Sequence, residues 1–171
     1  KRELSSHAIK IIMNSFWGVL ASPNLRYFNL KMANAITNFA QFIIKLTASE
    51  IEKDGYKVIY SDTDSVFVET NLEKQKANVL GKEIEEKINN FYKDYVKKNY
   101  SRESFLELQF EKQYLYLMIP QIRGKETATA AKKRYAGLLE KPGGGEKIEV
   151  TGLEAIRGDW TEAAQEFQIQ L

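Results

Sequence analysis

Apolar residues recur at helical spacing in three long segments of the chain. The pattern predicts helices over residues 4–20, 30–53 and about 72–98. Asn29 precedes the second segment and is the expected N-cap, and Asp54-Gly55 follows the segment as a stop signal. On the first predicted helix, which should be amphipathic, the apolar side consists of Ile9, Ile12 and Phe16.

Short β-branched and aromatic runs alternate with turn residues in the rest of the chain. Residues 57–60 and 65–68 flank the polar residues 61–64 and predict a hairpin. Asp159, with Glu162 three residues later, predicts the start of a final helix. The class is therefore α+β, with helices packed against an antiparallel sheet. Further strands of that sheet are predicted at residues 105–110, 114–119, 134–139 and 148–150.

Two aspartates, Asp62 and Asp64, fall at the tip of the predicted hairpin. An extended backbone would point both carboxylates the same way, with Cα atoms about 6.6 Å apart at roughly 3.3 Å per residue. Carboxylates held that close favour a hard divalent cation, so the pair predicts a magnesium site. The turn alone leaves other interpretations open: a plain Asx turn, a phosphatase of the haloacid dehalogenase type, or a sugar-nucleotide transferase.

A polar stripe runs along the first predicted helix. His7, Lys10, Asn14 and Trp17 follow one another at intervals of three, four and three residues, so they share one face. A cation, an amide and a flat ring on one face suit a bound nucleotide, with lysine placed for a phosphate. The alternative is a solvated helix face with a half-buried tryptophan.

Basic residues are concentrated in two parts of the chain, although the formal net charge is only +2. Residues 1–31 contain five bases and one acid, and residues 121–141 contain six bases and two acids. The second part includes the run Lys132-Lys133-Arg134-Tyr135, which is typical of a surface that binds a nucleic-acid backbone. A solvated basic patch is the alternative.

Several classes of protein are disfavoured by what the sequence lacks. The chain has no cysteine, which excludes disulfides and thiolate metal sites, and its single histidine, His7, looks incidental. No apolar run approaches the roughly 18 residues needed to cross a bilayer, and no secretory signal is visible. We therefore expect neither a membrane protein nor a secreted one. The missing initiator methionine suggests a fragment or a processed piece.

Four segments together resemble motifs of family B DNA polymerases, in that family's order. KIIMNSFWG at residues 10–18 resembles the K-x-x-x-N-S-x-Y-G motif, and YSDTDS at residues 60–65 resembles Y-G-D-T-D-S. KRY at residues 133–135 is similar to the K-x-Y motif. GLE at residues 152–154, with RGDW at residues 157–160, is similar to the segment that leads into the thumb. The phosphatase and transferase interpretations explain only one of these segments.

The resemblance implies an architecture and a reaction. Residues 1–22 would be the helix joining fingers to palm, residues 23–153 the palm with the Asp-bearing hairpin, and residues 154–171 the start of the thumb. The reaction would be nucleotidyl transfer, in which a primer 3′ hydroxyl attacks a dNTP with the help of two Mg²⁺ ions. Primer-template DNA and dNTP would be the ligands, and the location cytoplasm, nucleoid or nucleus.

Each matched residue acquires a role from the resemblance. Asp64 would be a direct ligand of the catalytic metal ions, with Asp62 as a nearby outer-shell carboxylate. Lys10 would hold the incoming triphosphate, and Asn14 and Trp17 would lie beside the new base pair. The DNA-binding residues would be Lys132, Lys133, Arg134 and Tyr135, with Lys133 and Tyr135 gripping the primer-template near its growing end.

The sequence also departs from the family pattern. Trp17 replaces the usual tyrosine, and Ser61 replaces a glycine. The metal-ligating motif D-x-x-S-L-Y-P is absent, as are most of the fingers, any exonuclease and nearly all of the thumb. We therefore expect the isolated chain to be inactive and to need the missing polymerase portion, from the same polypeptide or a second chain. A non-catalytic nucleic-acid-binding remnant is the other class that this absence leaves open.

Overall fold

The protein is an α+β structure, seen in a computed structural model that describes residues 2–121, 131–141 and 143–170. This confirms the predicted class. One turn of 3-10 helix, Glu154–Ile156, precedes the last helix. The helices and strands of the described residues are α1 (Arg2–Ala21), α2 (Leu30–Glu52), β1 (Lys57–Asp62), β2 (Ser65–Glu69), α3 (Lys74–Tyr100), β3 (Tyr116–Met118), β4 (Tyr135–Glu140), β5 (Glu146–Thr151) and α4 (Glu162–Gln170).

Helix α2 begins and ends where the sequence predicts. The side-chain oxygen of Asn29 accepts a hydrogen bond from the backbone N–H of Met32 at 3.1 Å. This satisfies one of the amides that a helix N-terminus leaves unpaired. After the helix, the chain reverses at Gly55, whose φ of +85° is the left-handed conformation that glycine adopts at no steric cost.

The core lies between α2, α3 and the β1–β2 hairpin. Its buried centre consists of Ile51, Ile88 and Tyr92. The hydroxyl groups of Thr47 and Tyr92 hydrogen-bond to each other inside it, so neither buried oxygen lacks a partner. Burial raises the pKa of Tyr92 above its ordinary value. Partly buried residues complete the cluster: Ile43, Tyr56, Val58, Val66, Val68, Ile84, Phe91 and Leu108.

The strands form two small sheets in the described residues rather than the single sheet that we expected. β1 pairs with β2, and β4 lies between β3 and β5, with every pairing antiparallel. Aromatic rings connect the two sheets, with centroids between 5.3 and 6.4 Å apart. We call these rings the aromatic cluster; its members are Tyr60, Phe67, Tyr114 and Tyr135.

The prediction of a strand at residues 105–110 is wrong. Both backbone polar groups of Leu108 bond to the side-chain amide of Asn89, at 2.7 and 2.9 Å. The backbone N–H of Phe110 donates to the carboxylate of Glu85 at 2.7 Å. Because side chains of α3 satisfy these backbone groups, the segment lies along the helix without a neighbouring strand.

Helix α4 begins later than the sequence predicts. Its first residue is Glu162, and the preceding Thr161 accepts a weak hydrogen bond from the backbone N–H of Ala164 at 3.4 Å. Asp159 was the expected cap. Its carboxylate is instead paired with the guanidinium of Arg157, at 2.5 and 2.9 Å, and is therefore engaged elsewhere.

Helix α1 forms as predicted, but its apolar side is not covered by the described residues. Ile9, Ile12 and Phe16 are 57%, 65% and 52% exposed. The helix contacts α2 instead through Trp17, and Leu20 near its C-terminal end is buried. An uncovered apolar helix face of this kind is typical of a surface that packs against another protein segment.

Candidate functional site

The two aspartates of the acidic motif lie at the tip of the β1–β2 hairpin. Asp62 and Ser65 are the last paired residues, so Thr63 and Asp64 form the turn. Thr63 has a φ of +51°, and the backbone N–H of Asp64 donates to the carbonyl of Asp62 at 2.6 Å, which closes a γ-turn. The assumption of an extended backbone between the aspartates is therefore wrong, because the chain reverses there.

The side chains at this tip would supply only part of the predicted metal site. Asp64 is exposed, whereas Asp62 is half-buried and accepts a hydrogen bond from the Thr63 hydroxyl at 3.2 Å. Carboxylate oxygens are the ligands that Mg²⁺ prefers, so the donor type fits. Within the described residues, however, no group of three or more His, Cys, Asp or Glu is placed to hold a metal ion. Full coordination of a metal ion here would therefore need ligands beyond those at this tip.

Only part of the polar stripe of α1 is free of contacts with the rest of the described structure. Lys10 and Asn14 are exposed to solvent. The indole N–H of Trp17 lies 3.2 Å from both the carbonyl of Ala33 and the hydroxyl of Thr37 on α2. These bonds orient the tryptophan ring along α2 and occupy its only polar hydrogen.

Helix α2 contacts both the helix that carries the polar stripe and the hairpin that carries the acidic tip. Among the described elements, α1 contacts α2, and α2 in turn contacts both β1 and β2. No direct contact joins α1 to the hairpin in this part of the chain. A ligand held by Lys10 and by Asp64 would therefore have to bridge the two elements, and their shared site stays a prediction.

The basic run forms a tight turn immediately before β4. Lys132 and Lys133 are exposed, and Lys133 has a φ of +58°. Arg134 differs from them, because its guanidinium is paired with the carboxylate of Glu154. Two of the three predicted DNA-binding cations are therefore free to meet an anion, while the third holds the chain after β5 in place.

A direct hydrogen bond joins the basic turn to the acidic hairpin. The backbone N–H of Lys133 donates to the hydroxyl of Tyr60 at 2.7 Å. Tyr60 lies two residues before Asp62 on β1, and its ring packs against Tyr135 with centroids 6.1 Å apart. The structure thus brings together two motifs that are far apart in the sequence. It also gives Tyr135 a place in the aromatic cluster.

A network of polar contacts joins the aromatic cluster to β5, and the sequence did not predict it. The Tyr114 hydroxyl donates to Glu149 at 2.7 Å, and the Lys112 ammonium contacts the same carboxylate oxygen at 2.6 Å. The bond from Lys112 is the largest cause that lowers the pKa of Glu149, and burial raises the pKa of Tyr114. A glutamate between Ile148 and Val150 in a predicted strand was the available signal.

Glu154 is the second residue that the sequence did not single out by role. Its carboxylate accepts a hydrogen bond from the Gln168 side chain, which is the main cause that lowers its pKa to about 2. Its own backbone N–H and Arg134 add to the effect. The carboxylate therefore connects α4 to the basic turn.

We expect Glu154 to make stability depend on pH below about 4.5. A carboxylate with a lowered folded-state pKa stabilises the fold above its unfolded value of 4.5, and this stabilisation is lost as pH falls toward about 2. The difference in melting temperature between the unchanged protein and Glu154→Gln should be largest above pH 5 and should shrink by pH 2. Thermal unfolding followed by circular dichroism measures it.

The matched control is Glu86→Gln, which removes an exposed carboxylate of α3. A difference between Glu154→Gln and the unchanged protein that stays constant from pH 7 to pH 2 would contradict the prediction.

The family is decided by comparison with known proteins. The sequence profile described as DNA polymerase family B matches residues 3–171. The chain belongs to this family. This family B chain is 39% identical over 168 residues to DNA polymerase II of Escherichia coli K12, an alignment that covers 97% of the chain and 21% of that relative.

More distant family B relatives align over the same region. Identity is 33% over 164 residues with DNA polymerase 2 of Aeropyrum pernix, covering 96% of the chain and 17% of the relative. It is 27% over 169 residues with the DNA polymerase alpha catalytic subunit of Xenopus laevis, covering 96% and 10%. The chain thus spans about a fifth of the length of these relatives, or less.

Family membership confirms the resemblance drawn from the four motifs. It also removes the phosphatase and sugar-nucleotide transferase families, which matched only the Asp-x-Asp turn of this family B chain. Among the helices in the described part of the chain, none has the length and apolar character needed to cross a bilayer.

Proposed function

We propose that this chain is part of the catalytic core of a DNA-directed DNA polymerase that adds nucleotides from dNTP to the 3′ hydroxyl of a primer. Residues 1–22 form the helix between fingers and palm, residues 23–153 the palm, and residues 154–171 the start of the thumb. The hydrogen bond from Lys133 to Tyr60 supports this most directly, because it joins an acidic motif and a basic motif 73 residues apart.

The acidic tip is the proposed metal-binding part of the site. Asp64, which is exposed at the tip, would bind the catalytic Mg²⁺ ions directly, and Asp62 would orient the turn and act from the outer shell. Two bound metal ions would lower the pKa of the primer hydroxyl and neutralise the pyrophosphate. The remaining ligands would come from the polymerase portion that carries the D-x-x-S-L-Y-P motif.

Helix α1 is the proposed binding element for the incoming nucleotide. Lys10 contacts the triphosphate, because an ammonium on a flexible stem is suited to phosphate oxygens. Asn14 lies one turn further along the same exposed face, toward the new base pair. Trp17, which is hydrogen-bonded to α2, orients α1 against the domain and presents one edge of its ring toward that pair.

The basic turn is the proposed DNA-binding part of the site. Lys132 and Lys133 are exposed and contact the phosphate backbone of the primer-template. Arg134 and Tyr135 support the turn from inside, through the ion pair with Glu154 and through the aromatic cluster. Their contribution to DNA binding therefore passes mainly through the position of the two lysines.

A chimera provides the test of the catalytic proposal. The matching segment of Escherichia coli DNA polymerase II, about a fifth of that enzyme, would be replaced by this chain. We expect the chimera to extend a primer and the isolated chain to show no extension. Asp64→Ala in the chimera should lower the extension rate at least about 100-fold, because metal ligation contributes several kcal/mol to such transition states.

Asp94→Ala is the matched control, since Asp94 is an exposed aspartate on α3. It should leave the extension rate of the chimera within about twofold of the unchanged chimera. Full activity of the Asp64→Ala chimera would sink the proposed role of the acidic tip. A folded chimera with no extension at all would sink the polymerase proposal itself.

The proposed DNA contact of Lys133 is tested by the salt dependence of binding. A lysine that neutralises one phosphate contributes about 1 to the slope of log affinity against log salt concentration. Lys133→Ala should therefore flatten the slope for a primer-template duplex by about 1. Fluorescence anisotropy at several salt concentrations gives the slope.

Lys82→Ala, which removes an exposed lysine of α3, is the control for a general loss of charge. It should leave the slope unchanged. Equal slopes for Lys133→Ala and the unchanged chain would remove Lys133 from the DNA contact.

A further inference from the structure

Lys133 has a backbone conformation that an L-residue rarely adopts without support. Its φ of +58° lies in the left-handed region, where the Cβ atom crowds the main chain. Residues other than glycine keep this backbone conformation when surrounding contacts hold them in it. The contacts of Lys133 therefore explain how its left-handed conformation is stabilised.

Two contacts hold the main chain of Lys133, one at its N–H group and one at its carbonyl oxygen. Its N–H donates to the hydroxyl of Tyr60 at 2.7 Å. Its carbonyl oxygen lies against the Cα of Gly152, so close that a Cβ atom at that position would collide with it. Gly152 has a left-handed φ of +61° as well, a conformation that favours glycine, and the close approach of the Lys133 carbonyl leaves no room for a Cβ atom there.

The hydroxyl of Tyr60 is held in a fixed position. The Tyr60 side chain is buried, and its ring packs edge-on against Phe67 with centroids 5.3 Å apart. The ring of Tyr135 also packs against Tyr60, with centroids 6.1 Å apart, and it contacts Phe67 at 5.3 Å. Because close packing prevents the Tyr60 ring from changing its rotamer, its hydroxyl is a fixed acceptor for the Lys133 amide.

We propose that Tyr60 is a positioning residue for DNA binding, which acts through Lys133. Its hydroxyl and the bare Cα of Gly152 hold Lys133 in the left-handed conformation, so the exposed lysine side chain leaves the turn at a set position relative to Asp62 and Asp64. The primer-template backbone is thereby aligned with the acidic tip. This proposal rests on the proposed function, because it takes primer-template DNA as the ligand of Lys133.

Tyr60→Phe tests the contact, because it removes one hydroxyl and keeps the ring. Hydrogen exchange of the Lys133 amide, followed by NMR, should become at least about tenfold faster in this variant. Tyr114→Phe is the matched control, since it removes a hydroxyl from the same aromatic cluster that bonds to Glu149 instead. It should leave the exchange of the Lys133 amide unchanged.

A double-mutant cycle tests the link to DNA. Tyr60→Phe should weaken primer-template binding about threefold to tenfold in the unchanged background and have no further effect in the Lys133→Ala background. A purely structural role would give the same loss in both backgrounds. Tyr114→Phe should leave the affinity unchanged in either background.

Each result bears on a different part of the proposal. Unchanged exchange of the Lys133 amide in Tyr60→Phe would overturn the contact. An equal loss of affinity in both backgrounds, or none in either, would overturn the positioning role while leaving Lys133 as a DNA ligand. If the unchanged chain does not bind primer-template at all, the proposed function fails and this proposal fails with it.

Discussion

Replacement of Ile88 by alanine should lower the free energy of unfolding by about 2–5 kcal/mol. Ile88 is 1% exposed and packs in the buried centre of the core with Ile51 and Tyr92. Truncation removes three carbon atoms from a site where two helices and a hairpin meet, and such a site cannot collapse around the cavity. Urea unfolding followed by circular dichroism measures the loss.

Val79→Ala is the control on the same helix. Val79 is 58% exposed, so its truncation should change the free energy of unfolding by less than about 0.5 kcal/mol. A loss below about 1 kcal/mol for Ile88→Ala would mean that α3 does not pack on the core as described.

Replacement of Gly152 by alanine should lower the free energy of unfolding by more than about 2 kcal/mol. Two costs add at this position. The φ of +61° is unfavourable for a residue with a Cβ atom, and that atom would collide with the carbonyl oxygen of Lys133. A backbone atom cannot move aside as a flexible side chain does, so the turn before β4 has to shift. Urea unfolding again measures the loss.

Two other glycines separate these costs. Gly144 has a φ of +96° but open space around it, so Gly144→Ala tests the conformational cost alone and should lose only about 1 kcal/mol. Gly18 lies within α1, and a Cβ atom added there would meet nothing within 4 Å outside the helix backbone, so Gly18→Ala should be neutral or stabilising by about 0.5–1 kcal/mol. Equal losses for Gly152→Ala and Gly144→Ala would contradict the collision.

Helices were predictable because their signals are local. The spacing of apolar residues located α2 and α3 to within about two residues, and Asn29 caps α2 as the sequence indicated. Strands were harder to predict. Residues 105–110 have an apolar pattern that fits a strand, but the side chains of Asn89 and Glu85 supply the hydrogen bonds that a neighbouring strand would otherwise provide.

The sequence predicted which motifs form the candidate site, but not how those motifs are arranged in space. The order of the four motifs indicated the family, which the comparison confirms. Their roles in metal, nucleotide and DNA binding remain predictions. The reversal of the chain between Asp62 and Asp64 was missed, because the two-residue spacing suggested an extended backbone. The role of Tyr60 as acceptor for Lys133 was also missed.

By itself, the sequence determined the α+β class, the helices and the family. Helical periodicity depends only on residues a few positions apart, and the order of motifs can be read along the chain without knowledge of the fold. Only the tertiary structure decided which motifs meet. It joins Tyr60 to Lys133, pairs Arg134 with Glu154 and turns Trp17 rather than Ile12 of α1 toward α2. Such contacts depend on how segments many residues apart pack together, and no local pattern encodes that packing.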